Sequence, residues 1–144
     1  MSFYMANEHL YGLPERKNKY QINDTRHSDP YRMYSVDLFP HKEWDNTGLY
    51  SGIPYVTGHG MKGKPDSSLL WINAAETWVD VLDHDKMSGE GGKIINFISE
   101  GGVIEFFMIA ASNPKRIHKR LATITGFPFL PPLYSLGFHY SRWE

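Results

Sequence analysis

The strongest constraint on how this chain can fold is its rhythm. Short apolar runs of strand length are each cut off after a few residues by glycine, proline or a polar cluster. Residues 77–82 show it best: Thr77, Val79 and Val81 alternate with Trp78, Asp80 and Leu82, the two-residue period of a half-buried sheet. Residues 31–39, dense in aromatic and β-branched side chains and closed by Pro40, predict another strand, and so do 53–57, 69–73, 94–99 and 103–110. Between the last two lies Glu100-Gly101-Gly102. Glycine tolerates positive φ at both central positions of a tight turn, so this spacing predicts a hairpin joining 94–99 to 103–110. Residues 1–30 read as polar and turn-rich, while 58–68 and 83–93 read as glycine-rich loops. Strands at such short intervals predict a mainly β fold, an antiparallel β-sandwich.

One helix follows. Asn113 suits an N-cap, Pro114 the first helical position and Gly126 a left-handed C-cap. Ile117, Leu121 and Ile124 fall on one face; Lys115, Arg116, His118, Lys119 and Arg120 form the other, read as a solvated face rather than a binding patch. Residues 130–144 then read LPPLYSLGFHYSRWE. The proline pair predicts an extended start and 133–140 a strand. The stretch stops with no turn signal, cap or polar tail, which predicts a chain that ends where a larger structure begins, with 130–144 its weakest part in isolation.

Several function classes are disfavoured. Fifteen Lys plus Arg against sixteen Asp plus Glu give a net charge of −1, so no field attracts nucleic acid. No apolar run approaches the roughly 18 residues of a membrane span. The N-terminus lacks the basic-then-apolar pattern of a signal peptide. Cysteine is absent, which removes thiolate nucleophiles, disulfides and the usual structural zinc sites; the seven histidines are scattered, so no metal site is expected. Gly58 with Gly63-Lys64 imitates a phosphate-binding loop, but Pro65 stands where a Ser or Thr is needed, so a hairpin loop is the better reading. Glu76 and Asp80, four apart on a strand, lie about 13 Å from each other. Glycoside hydrolysis uses carboxylates roughly 5 to 9.5 Å apart, so a structural role is expected for both. Asn23-Asp24-Thr25 is an N-glycosylation acceptor pattern, with Asn23 the acceptor, if the chain enters the secretory pathway. Asp37 sits inside an apolar run, as a strand-end carboxylate or a site residue. Aromatic residues make up 15% of the chain, which suits a pleated sheet and also a sugar-stacking surface.

Taken together, EHLYGLPER at 8–16, YRMYSVDLFP at 31–40, LYSGIPY at 49–55, LWINAAETWVDV at 70–81, GGVIEFFMIA at 101–110, TGFPFLPP at 125–132 and LYSLGFHYSRW at 133–143 resemble glycoside hydrolase family 31, in particular its endoplasmic-reticulum α-glucosidase II branch. The resemblance implies that 1–111 are part of an N-terminal galactose-mutarotase-like sandwich, 112–129 a linker helix, and 130–144 the first strand of a (β/α)8 catalytic barrel. It implies a retaining hydrolase of terminal α-linked glucose on oligosaccharides such as an N-glycan, with no cofactor. It also implies residence in the endoplasmic reticulum lumen and a non-catalytic beta subunit as partner of the full-length enzyme. Trp143 corresponds to an aromatic residue against the innermost glucose, and Asp37 to an aspartate lent by the sandwich to the same pocket; Arg142 reads as a structural ion-pair residue. No catalytic residue is expected here: the family's nucleophile lies in Trp-x-Asp-Met-Asn-Glu, which this sequence lacks, so the 144 residues alone should be inactive. The rival reading is a non-catalytic carbohydrate-binding or interaction sandwich. A relative acting on starch or maltose is a further one, since linkage specificity is set by barrel loops.

Overall fold

The computed structural model describes residues 1–37, 39, 46–60, 62–84 and 91–143. Among the described residues eight strands form two four-stranded antiparallel sheets, in the orders β1-β7-β6-β3 and β2-β4-β5-β8. They are β1 (Ser2–Met5), β2 (His9–Gly12), β3 (Tyr31–Met33), β4 (Tyr55–His59), β5 (Asp66–Trp71), β6 (Thr77–His84), β7 (Gly92–Ser99) and β8 (Phe106–Ala111). The mainly β, antiparallel expectation holds.

Period-two burial makes the sandwich. Thr77, Val79 and Val81 on β6 are fully buried, as their alternation predicts, and Ile95 and Phe97 beside them on β7 are too. The facing sheet supplies Leu10, Val56, Leu69 and Trp71. Trp71 stacks on Phe97 at 5.2 Å between ring centroids, and Phe3 meets Phe97 edge-on at 6.1 Å. Large rings in stacked or edge-on contact join the aliphatic side chains in filling this interlayer.

Two connections depart from the expectation. Strands β1 and β2 lie in the stretch read as turns: each has only four residues, too few to show a period, and each is held by a partner remote in sequence, β7 and β4 respectively. The predicted hairpin around Gly101-Gly102 is absent. β7 belongs to the first sheet and β8 pairs with β5 in the second, so 100–105 cross between layers. The reason is burial. Crossing brings Phe106 against the interlayer, 4.9 Å from Phe3 and stacked on Trp71 at 6.4 Å, an arrangement that a local hairpin in one sheet would forgo. The 58–68 hairpin reading holds, since β4 pairs antiparallel with β5.

Helix α1 (Pro114–Thr125) has the predicted caps. The Asn113 side chain accepts the Arg116 N–H, and Gly126, at φ 80, donates its N–H to Ala122 O. Ile117 is fully buried against Ile109 and Ala111, with Leu121 packed beside them, so the helix covers the outer face of the second sheet. Lys115, Arg116, His118, Lys119 and Arg120 are exposed, the solvated face expected.

The terminal stretch is not a strand. Leu133–Leu136 form a 3-10 turn, closed by Ser135 N–H to Pro132 O at 2.9 Å, and 137–143 have no regular structure. Among the described residues no strand edge pairs with it, so its backbone groups turn to local i to i+3 bonds and to water.

Loop 23–26 is tied to the sheet through Asp24, whose carboxylate accepts the backbone N–H of Asp83 at 2.6 Å and of Arg26 at 2.7 Å. Burial opposes its charge, but these two bonds, with the charges of Arg26 and Lys93, hold its pKa below the ordinary value. A depressed carboxylate stabilises the fold above its unfolded pKa and loses that contribution as pH falls through the folded one. The gap in urea midpoint between the wild type and Asp24→Asn is therefore expected to be open at pH 7 and to shrink steadily below pH about 4. A gap that does not change with pH would assign the loop's stability elsewhere.

Candidate functional site

After β3 the chain continues through 34–37 without regular structure, held by Val36 N–H to Leu49 O at 2.6 Å. The 46–52 segment lies so close that a Cβ on Gly48 would sit 2.7 Å from Tyr34 O, which only glycine avoids. Arg32 anchors this corner, with Nε 2.8 Å from Glu76 Oε1 and its guanidinium over the Tyr34 ring at 4.5 Å. Asp37 is exposed at the end of the segment and accepts the Tyr50 hydroxyl; its negative charge keeps the Tyr50 pKa above the usual value. The carboxylate thus sits oriented at the surface, beside a phenol held in its protonated, hydrogen-bonding form.

Trp143 lies elsewhere in character. Its ring is 96% exposed, on the terminal stretch that pairs with no strand. The structure brings Asp37 together with Tyr50 rather than with Trp143. Arg142 lies over the Tyr140 ring at 5.9 Å. Glu76 and Asp80 are structural as expected: Glu76 holds Arg32, and Asp80 accepts the Thr25 hydroxyl at 3.1 Å. In the Asn23 acceptor pattern, Asn23 is exposed while Thr25 is buried, its hydroxyl spent on β6. Among the described residues no three His, Asp or Glu side chains gather as a metal ion would need.

A cleft of about 540 Å³ escaped the sequence reading. Its floor is the outer face of β2 and β4, with Tyr11, Tyr55, Thr57 and His59; its walls are the 12–20 segment, carrying Arg16 and Tyr20, and the first turn of α1. His59 Nδ1 donates to Asp66 Oδ1 at 2.7 Å, and that carboxylate is itself buried. The Arg16 guanidinium lies over the Tyr31 ring at 4.6 Å, and burial lowers its pKa to about 10. The lining residues come from segments far apart in sequence, so no spacing signals them. The local clue was the cluster of tyrosines at 11 and 20 around a lone arginine.

The family model for the glycosyl hydrolase 31 N-terminal galactose mutarotase-like domain matches residues 1–80. The chain belongs to glycoside hydrolase family 31. Family 31 relatives match beyond that domain model. Neutral alpha-glucosidase AB of Sus scrofa is 35% identical over 95% of this chain, which covers 16% of that protein. Glucosidase 2 subunit alpha of Saccharomyces cerevisiae is 33% identical over 98% of this chain and 14% of its own length. Among solved structures, the alpha3-Glc2-bound glucosidase II alpha subunit superposes with a TM-score of 0.74 at 28% identity, over 84% of this chain and 14% of that one. A heterodimeric complex of catalytic subunit and regulatory-subunit binding domain gives the same score. The chain therefore spans about a sixth of the length of the curated family 31 proteins it matches.

Proposed function

We propose that these 144 residues are the part of a retaining α-glucosidase that holds the later sandwich (1–111), the linker helix (112–129) and the opening of the (β/α)8 barrel (130–144). The parent's substrate is terminal α-linked glucose on an oligosaccharide of the N-glycan type. Its place is the endoplasmic reticulum lumen, where Asn23 is an acceptor for glycosylation, and its partner is a non-catalytic subunit like the one in the related heterodimer. One observation carries this reading: similarity to α-glucosidases runs over 95% of the chain, through the helix and beyond the sandwich. In the parent, Trp143 stacks on the innermost glucose and Asp37, oriented by Tyr50, accepts from its hydroxyls.

The test uses a longer polypeptide that carries this chain together with the Asp-Met-Asn-Glu motif. It is expected to hydrolyse p-nitrophenyl α-glucoside, and Asp37→Asn and Trp143→Ala are each expected to lower kcat/KM by about 10- to 100-fold, the scale of one lost charged hydrogen bond or stacking contact. No turnover would remove the enzymatic reading; unchanged kcat/KM in both variants would remove these residues from the pocket. A non-catalytic carbohydrate-binding module is favoured by one observation, the tyrosine-lined cleft on the sheet.

A further inference from the structure

We propose that the cleft lined by Tyr11, Arg16, Tyr20, Tyr55 and His59 is a saccharide-binding site in its own right. The inference goes beyond the α-glucosidase reading and does not depend on it.

Three features point to a neutral, polyhydroxylated ligand. First, the Tyr11 and Tyr20 rings lie 5.1 Å apart at 40°, and Tyr20 is 87% exposed. A large ring left in water at the mouth of a cleft offers a flat apolar face of the kind that stacks on a pyranose. Second, three polar atoms of the lining residues are unspent. Tyr55 Oη and Arg16 Nε and Nη1 are buried with no hydrogen-bond partner, a cost of about 1–3 kcal/mol for each such group. Among the described residues the hydrogen-bond partner of the Arg16 guanidinium is Met33 Sδ at 3.7 Å, a weak acceptor, so packing on the Tyr31 ring holds the head group while its donors stay unspent. Third, His59 is held by buried Asp66 through Nδ1, which fixes the ring and leaves Nε2 for a ligand.

The set combines a pure donor (Arg16), a fixed imidazole edge (His59) and a hydroxyl that can do either (Tyr55). Sugar hydroxyls, each donor and acceptor at once, match that mixture. A simple anion would be drawn by Arg16 and Lys19, but it meets Glu15 in the same lining and makes no use of the tyrosine rings. The volume of about 540 Å³ lies within the usual range of small-ligand sites.

Saturation-transfer NMR and calorimetry on the full chain decide the matter, with maltotriose, α-1,3-mannobiose and inorganic phosphate as probes. At least one sugar is expected to bind at millimolar concentration. Tyr20→Ala, a change at an exposed position that leaves the fold intact, should weaken it about tenfold, as one lost stacking contact does. Arg16→Met should weaken it likewise, and Trp143→Ala should leave it unchanged. If Arg16→Met fails to fold, Tyr20→Ala carries the test alone. The proposal is overturned if neither sugar binds, if phosphate displaces the sugar, or if binding survives Tyr20→Ala but not Trp143→Ala.

Discussion

Purified as it stands, the chain is expected to release no nitrophenol from p-nitrophenyl α-glucoside above a boiled control. Retaining hydrolysis needs a carboxylate nucleophile and a second carboxyl group about 5–5.5 Å away that serves as acid and then base. Enzymes of this kind accelerate their reactions by roughly a million-fold or more, and a chain without either group keeps almost none of that. The carboxylates that the fold holds in place are already engaged: Glu76 with Arg32, Asp80 with Thr25, and Asp66 with His59. Asp37 meets Tyr50 at the surface. Binding without turnover is the expected behaviour, so the same sample should show a sugar-dependent NMR signal in the assay buffer. Nitrophenol release that scales with protein and disappears on boiling would contradict this directly.

The second large effect concerns Phe97→Ala. Phe97 is 1% exposed at the centre of the interlayer, stacked on Trp71 and edge-on to Phe3. Removing a buried ring takes away its transfer energy and leaves a cavity that rigid sheets close poorly, about 3–5 kcal/mol for Phe to Ala. Domains have only about 5–15 kcal/mol in all, so the variant should sit near the edge of unfolding. Urea titration followed by tryptophan fluorescence should show a much lower midpoint. Phe107→Ala, at a position 37% exposed on the outer face of β8, should cost far less. Equal losses at the two sites would mean that the interlayer is not the main core.

Much of this architecture was legible in the amino acids, and the reasons are local. β6 announced itself because Thr77, Val79 and Val81 alternate over a full strand. The α1 boundaries were legible because Asn113, Pro114 and Gly126 each satisfy a specific need at a helix end. β1 and β2 were not, because four residues hold no period and their support lies in β7 and β4. Gly101-Gly102 misled for a similar reason: turn chemistry says that the chain can reverse there, while the ring packing of Phe106 decides that it crosses to the other sheet. Of the candidate site, Asp37 stood out as a carboxylate inside an apolar run, but its role, like that of Trp143, was reachable only through family resemblance. The cleft, assembled from the faces of two strands, a loop and a helix turn, left only a local trace in the sequence, the tyrosines at 11 and 20 around Arg16.

Asn73 lies in the connection from β5 to β6, beside the 100–105 crossing, its side-chain amide donating to Gly101 O at 2.8 Å and Val103 O at 3.2 Å while its oxygen accepts the Ala75 N–H at 2.8 Å. This has a bearing on the order of assembly. The β4–β5 and β6–β7 hairpins are close in sequence and can form early, whereas β1 must await β7 and β5 must await β8. Asn73 can close its two long-range bonds, to Gly101 and Val103, only once both hairpins face each other and the chain has passed from β7 toward β8. It therefore acts as a late latch on the sandwich, and damage there should speed opening more than it slows folding.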